Sequence, residues 1–184
     1  MAPTLLRRLG CRVAAVTLAL VGVTPASGQS GDDSRLKAAI VSKFPEFVHW
    51  PPGALADQQE MVLCVTHRGS FAEHLRAVVT GVRVQGHPML VRELVGPAGV
   101  SGCHVLVVAA DSHLDNDELL AAVANLPVLT IGDDPALLER GAILALRPMG
   151  GRLRFDADLD AADRAGLRLR SQLLRLAVNV RGAR

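Results

Sequence analysis

The chain has 184 residues, a formal net charge of +2, 49% hydrophobic residues and only 3% aromatic ones. That length fits one domain. The near-neutral balance does not make a nucleic-acid footprint, and the sequence holds no internal repeat and no low-complexity tract.

The first 28 residues read as a secretory signal peptide. Arg7, Arg8 and Arg12 form a basic start, Val13 to Val23 an apolar middle, and Ala26-Ser27-Gly28 a small-residue cleavage region. The apolar run is short for a membrane span, although an uncleaved anchor is the competing reading. Cys11 precedes that run, so it is not placed like a lipid-modified cysteine. Removing the segment takes away three Arg and no acid, which turns +2 into −1. The basic excess therefore belongs to an export address. Residues 29–184 are expected to form a single exported domain.

Leu36 to Pro52, LKAAIVSKFPEFVHWPP, opens that domain. The chain has four Phe, one Trp and no Tyr, and Phe44, Phe47 and Trp50 fall within seven residues. At helical spacing Leu36, Ile40, Phe44, Phe47 and Val48 make one apolar stripe. Asp32, Asp33 or Ser34 is expected to cap the helix, and Pro45 to kink or break it. Pro51-Pro52 stop it. The stripe reads either as a core face or, in part, as a docking surface with Phe47, Val48, Trp50 and Pro51 as contact residues.

Strands and helices then alternate. Met61–Thr66 reads as a buried strand, and Ser70 with Glu73 as a capping box for a helix ended by Gly81. Val82–Val84 and Pro88–Leu94 read as strands around a turn. His104–Ala110 is the most apolar run outside the signal segment, as expected of a central parallel strand covered on both faces. A helix over Leu114–Ala124 leads to a strand at Leu126–Ile131, and Gly132-Asp133-Asp134-Pro135 reads as a turn plus cap before a short helix. Ala142–Arg147 and Arg152–Asp156 flank Pro148-Met149-Gly150-Gly151 as a hairpin. Asp158 or Asp160 starts a helix that stops at Gly166. Leu167–Arg170 alternates like a strand, and Ser171 caps a final helix with Leu173, Leu174, Leu176 and Ala177 on its apolar side. The pattern predicts a three-layer α/β fold: a mainly parallel sheet, helices on both faces, and one antiparallel hairpin.

Two cysteines follow the export segment, Cys64 and Cys103. Each sits by an apolar strand. They pair if those strands are neighbours and the side chains face the same way; otherwise they are two buried thiols.

Catalytic signatures are absent: no G-x-S-x-G elbow, no P-loop, no G-x-G-x-x-G. The six His are irregularly spaced. Asp111, His113 and Asp115 alternate after a strand, but a polar loop capping the next helix accounts for them, so no metal and no cofactor is expected. The Arg-rich tail from Arg168 to Arg184 reads as a solvated face or as a surface for an acidic partner.

Four stretches together resemble the YfiR family. They are residues 36–52, MVLCVTHRGSFAEHL (61–75), CHVLVVAAD (103–111), and the tail from Asn125, with LPVLTIGDDPALLERGAILAL and GGRLRFDADLDAADRAGLRLRSQLLRLA. The resemblance implies a small periplasmic α/β domain that represses an inner-membrane diguanylate cyclase by engaging its periplasmic sensor portion. It also implies an outer-membrane lipoprotein that sequesters the repressor, and a homodimer. It implies a Cys64–Cys103 disulfide. A second family disulfide falls near Asp133 to Ala145, where this chain has no cysteine. Pro45 is a further departure.

The expected function is thus a binding regulator that restrains a membrane partner and lowers cyclic-di-GMP, with no nucleic acid involved. The alternative is a small-ligand-binding domain. In it the loops at His67–Ser70, Asp111–His113 and Gly132–Asp134 gather at one sheet edge. An enzyme is the least supported class.

Overall fold

In the central strand, residues Val105–Val108, all four side chains are buried, and they alternate between two separate apolar clusters. Val105 and Val107 face one, Leu106 and Val108 the other. A strand in that position needs helices on both sides, and the computed structural model has them. It describes residues 29–56, 59–67 and 69–182. The proposed signal peptide lies outside them.

The elements run in this order. α1 (Gln29–Val41) leads through a 3₁₀ turn (Phe44–Phe47) to β1 (Val48–His49). Then come β2 (Met61–Val65), α2 (Ser70–Val79), β3 (Arg83–Val84), β4 (His87–Glu93), a 3₁₀ turn (Pro97–Val100) and β5 (Val105–Val108). α3 (Asn116–Val123), β6 (Leu129–Gly132), α4 (Ala136–Glu139), β7 (Leu144–Met149) and β8 (Arg152–Asp158) follow. The chain closes with α5 (Leu159–Arg164), β9 (Arg168–Leu169), α6 (Ser171–Leu174) and β10 (Val180–Arg181).

Eight strands form one sheet in the order β10-β8-β7-β6-β5-β2-β4-β3. The block β4-β2-β5-β6-β7 is parallel throughout. β7 and β8 make the expected hairpin, and β3 with β4 makes another antiparallel pair at the far edge. β1 and β9 form a separate two-stranded antiparallel sheet. α1 and α2 cover one face with Ala38, Val41, Phe71, Leu75 and Val79. α3 and α4 cover the other with Leu119, Leu120, Val123 and Leu137. The mainly parallel, three-layer α/β expectation is met.

Cys64 and Cys103 are bridged, with Cα atoms 5.8 Å apart. Both lie on the α3 side of the sheet, beside Leu106. The Arg92 guanidinium lies 3.3 and 3.4 Å from the two sulfurs and donates to the Ser101 carbonyl at 2.8 Å.

The N-terminal helix departs from its expected course. It already runs from Gln29, the first described residue, so Asp32, Asp33 and Ser34 lie inside it and not at its cap. It stops at Val41, and the chain turns before Pro45. The proline ring and its missing N–H explain the break. Leu36 stays 47% exposed, while Ala38 and Val41 face the core. At α2, Gly69 with φ 77° holds the N-cap position and Ser70 is the first helical residue, so no capping box forms. α3 is capped by Asp115, whose carboxylate accepts from the amides of Asp117 and Glu118. α6 is a single turn, which leaves Leu176 57% exposed.

The C-terminal strand lies along β8 and is locked by buried acids. Asp156 accepts from the Asn179 amide and side chain at 3.2 and 2.9 Å, and Arg147 binds its other oxygen at 2.7 Å. Arg181 meets Asp158 at 2.7 Å and Glu139 at 2.6 Å, and also donates to the Leu138 carbonyl. A Cβ at Gly182 would lie 2.8 Å from the Asp160 backbone nitrogen, so only glycine fits there.

The bridge joins residues 39 apart. Closing a loop of that length restricts the unfolded chain by about 3–4 kcal/mol. Cys64→Ala/Cys103→Ala should therefore lose about that much unfolding free energy in urea. The wild type under reductant should follow it, and coincident curves for all three would refute the staple.

Candidate docking groove and switch-point pocket

Two concave sites flank α1. The first is an apolar groove of about 370 Å³. One turn past the end of α1, Phe44 packs edge-to-face on Phe155 of β8, with ring centroids 5.0 Å apart. Around that pair Ile40, Phe47, Leu153, Leu173 and Leu176 line the groove, and Lys43 and Arg154 supply its charge. The groove exists because Pro45 ends α1 early and α6 is only one turn long. Neither element closes over the other.

The four contact residues expected from sequence are divided by the structure. Phe47 lines the groove and is half-buried. Val48 is fully buried and belongs to the core, so its side chain is not available to a partner. The cause is β1: pairing with β9 turns Val48 inward, and its carbonyl accepts from Gln85 at 2.8 Å. Trp50 is half-buried, and its indole donates to the Pro127 carbonyl at 3.0 Å. Pro51, also half-buried, stands near Gly166. Trp50 and Pro51 are not among the groove-lining residues.

The second site lies at the carboxyl ends of the parallel strands. From β2 the chain passes to β4 on one side, then crosses back to β5 on the other. Loops diverge at such a switch point and leave a crevice. Here it is a pocket of about 360 Å³ whose walls include Lys37, His67, Ser70, Asp111, Ser112 and Asp133. The three loops expected at one sheet edge do meet there.

Asp133 organises this pocket. One carboxylate oxygen accepts the Ala110 amide at 2.7 Å. The other receives the Lys37 ammonium and His67 Nε2, each at 3.2 Å. The His67 ring lies on Phe71 with centroids 4.1 Å apart, and its Nδ1 is buried without a hydrogen-bond partner. Burial by itself would raise the Asp133 pKa. The His67 hydrogen bond, the Ala110 amide and the nearby Lys37 charge outweigh it and hold the value at about 2.

Sequence reasoning took Asp133 for part of a turn and passed over Lys37, because 96 residues separate the two. Its neighbour Asp134 does have the expected capping role, accepting the Ala136 amide at 2.8 Å. Among the described residues no group of three His, Cys, Asp or Glu side chains is arranged to hold a metal ion. No described helix is long and apolar enough to cross a membrane. His104 is a core residue: its Nδ1 accepts the Val62 amide at 3.0 Å, and burial first, then the charges of His87 and Arg92, keep its pKa below the usual imidazole value.

A family model described as YfiR/HmsC-like matches residues 34–178. Among solved structures, a conserved domain protein from Vibrio cholerae is similar at 12% identity and a TM-score of 0.50. The alignment covers 80% of this chain and 60% of that one, so the chain spans about 60% of the length of that protein. At such low identity the likeness concerns the fold alone.

Asp133 has a folded pKa of about 2, below the ordinary aspartate value of 3.8. A depressed carboxylate stabilises the fold above the unfolded pKa and loses that contribution as pH falls through the folded one. The difference corresponds to about 2 kcal/mol. Asp133→Asn should therefore be less stable than wild type by about 2 kcal/mol at pH 7. Urea unfolding at a series of pH values should show the gap closing between about pH 4 and pH 2.

Proposed function

The chain belongs to the YfiR/HmsC-like family, and from that premise we propose that it is a periplasmic regulator which restrains an inner-membrane diguanylate cyclase by binding the cyclase's periplasmic sensor portion. The observation that carries this reading is the family match itself, which runs through residues 34–178 and so takes in the groove and α1 from Ser34 onward. The export segment at residues 1–28 supports the location. The apolar groove supports the mode of action, since half-buried Phe47 and exposed Leu176 stand over the buried Phe44–Phe155 pair, and apolar and aromatic side chains of this kind anchor partners.

The mechanism is a shift of population. A regulator that binds the inactive form of the cyclase more tightly than the active one lowers cyclic-di-GMP without turning over a substrate. Phe47 makes contact from the groove, and Trp50 and Pro51 form a second contact beyond β1. An outer-membrane lipoprotein that binds the same regulator would relieve the restraint by removing it. A homodimer is compatible with this mode of action.

Deleting the gene should raise cellular cyclic-di-GMP. Phe47→Asp should reproduce much of that rise at an unchanged level of folded protein, because it puts a charge on the groove wall. Trp50→Ala should do the same, with its thermal unfolding checked because the indole also bonds Pro127. A normal cyclic-di-GMP level in the deletion strain would sink the regulator reading. A rise in the deletion strain with normal levels in both variants would sink the contact sites alone.

A further inference from the structure

The switch-point pocket separates its charges. Asp133 is already engaged by Lys37, His67 and the Ala110 amide. On the helical side stand the Lys37 ammonium and the hydroxyls of Ser34 and Ser70, which are 3.5 Å apart. On the β5–α3 side stands Asp111, exposed, with no ion pair among the described residues. A simple anion placed here would face Asp111, and a simple cation would have to share Asp133 with Lys37. Each opposed charge costs free energy in a partly desolvated pocket. A molecule with both charges meets both walls. The volume of about 360 Å³ suits a small metabolite.

We propose that this pocket binds a small zwitterion with the chemistry of a free α-amino acid. Its carboxylate sits against Lys37, Ser34 and Ser70, and its ammonium against Asp111. Binding there acts on the docking groove through α1. Lys37 belongs to the pocket, while Ala39, Ile40 and Lys43 of the same 13-residue helix belong to the groove. A ligand that draws Lys37 away from Asp133 shifts the helix that forms one groove wall. The consequence for signalling rests on the regulator reading; the binding does not.

The test is an amide NMR titration of the ¹⁵N-labelled protein, expressed from the full chain. The probes are L-alanine, lactate, which lacks the ammonium, and ethylammonium, which lacks the carboxylate. L-alanine should give saturable shifts at Ser34, Lys37, Ser70 and Asp111, with each half-molecule at least about tenfold weaker. Asp111→Asn should weaken L-alanine by about tenfold; the residue is exposed, so the fold is not at stake. Lys37→Met should do likewise. The amides of Ile40 and Lys43 should shift with the same midpoint. No saturation by L-alanine, equal binding of lactate, or an unaltered affinity in Asp111→Asn would overturn the site. Saturation in the pocket with unmoved groove amides would overturn the link along α1. None of these readouts involves the membrane partner, so a failure here is separate from a failure of the regulator reading.

Discussion

The fold depends on covering β5 from both sides. Its four side chains are buried and point alternately to two clusters, so neither helical layer can be removed without exposing half of the central strand. The same constraint fixes β2 and β6, which pair with β5 along both of its edges. With those three strands parallel and in register, their carboxyl ends lie at one level. The loops carrying His67, Asp111 and Asp133 have no other place to meet. The disulfide adds to this at the opposite end of β5, where Cys103 leads into the strand from a glycine-rich loop.

α1 is the element through which the two sites touch. One side of it buries Ala38 and Val41 against the sheet. Lys37 reaches Asp133 at the sheet edge, and Ile40 and Lys43 border the groove. A helix with such divided duties cannot be uniformly apolar on its inner side, which explains why Leu36 fits the helical stripe in sequence and yet stays 47% exposed. Packing decides which periodic residues are core, and here α2 and β8 define the covered face.

Much of the fold was legible in sequence because its strands are short apolar runs with punctuation. MVLCV, VLVV and the segments around Pro148-Met149-Gly150-Gly151 each announce their state by composition, and Pro45 announces a break. Two-residue strands carry no such signal. β1 and β10 are held by pairing with distant partners, Leu169 and Ala157 among them, and nothing local marks Val48 or Val180 as extended. Val48 could therefore be read either as core or as a contact residue, and it is core. The pocket was legible as three loops but not as a charge cluster, since Lys37 lies on a helix whose sequence reads as one amphipathic stripe.

The C-terminal strand has a further consequence, for the behaviour of this chain in concentrated solution. A β8 left bare would present an open row of amides and carbonyls, the template on which sheets of separate molecules fuse. β10 occupies that row for two residues only. The second of them, Arg181, anchored on Asp158 and Glu139, sets a charged group across the rim. So short and so charged a border gives a neighbouring molecule little to extend, which keeps the sheet from growing sideways into fibrils.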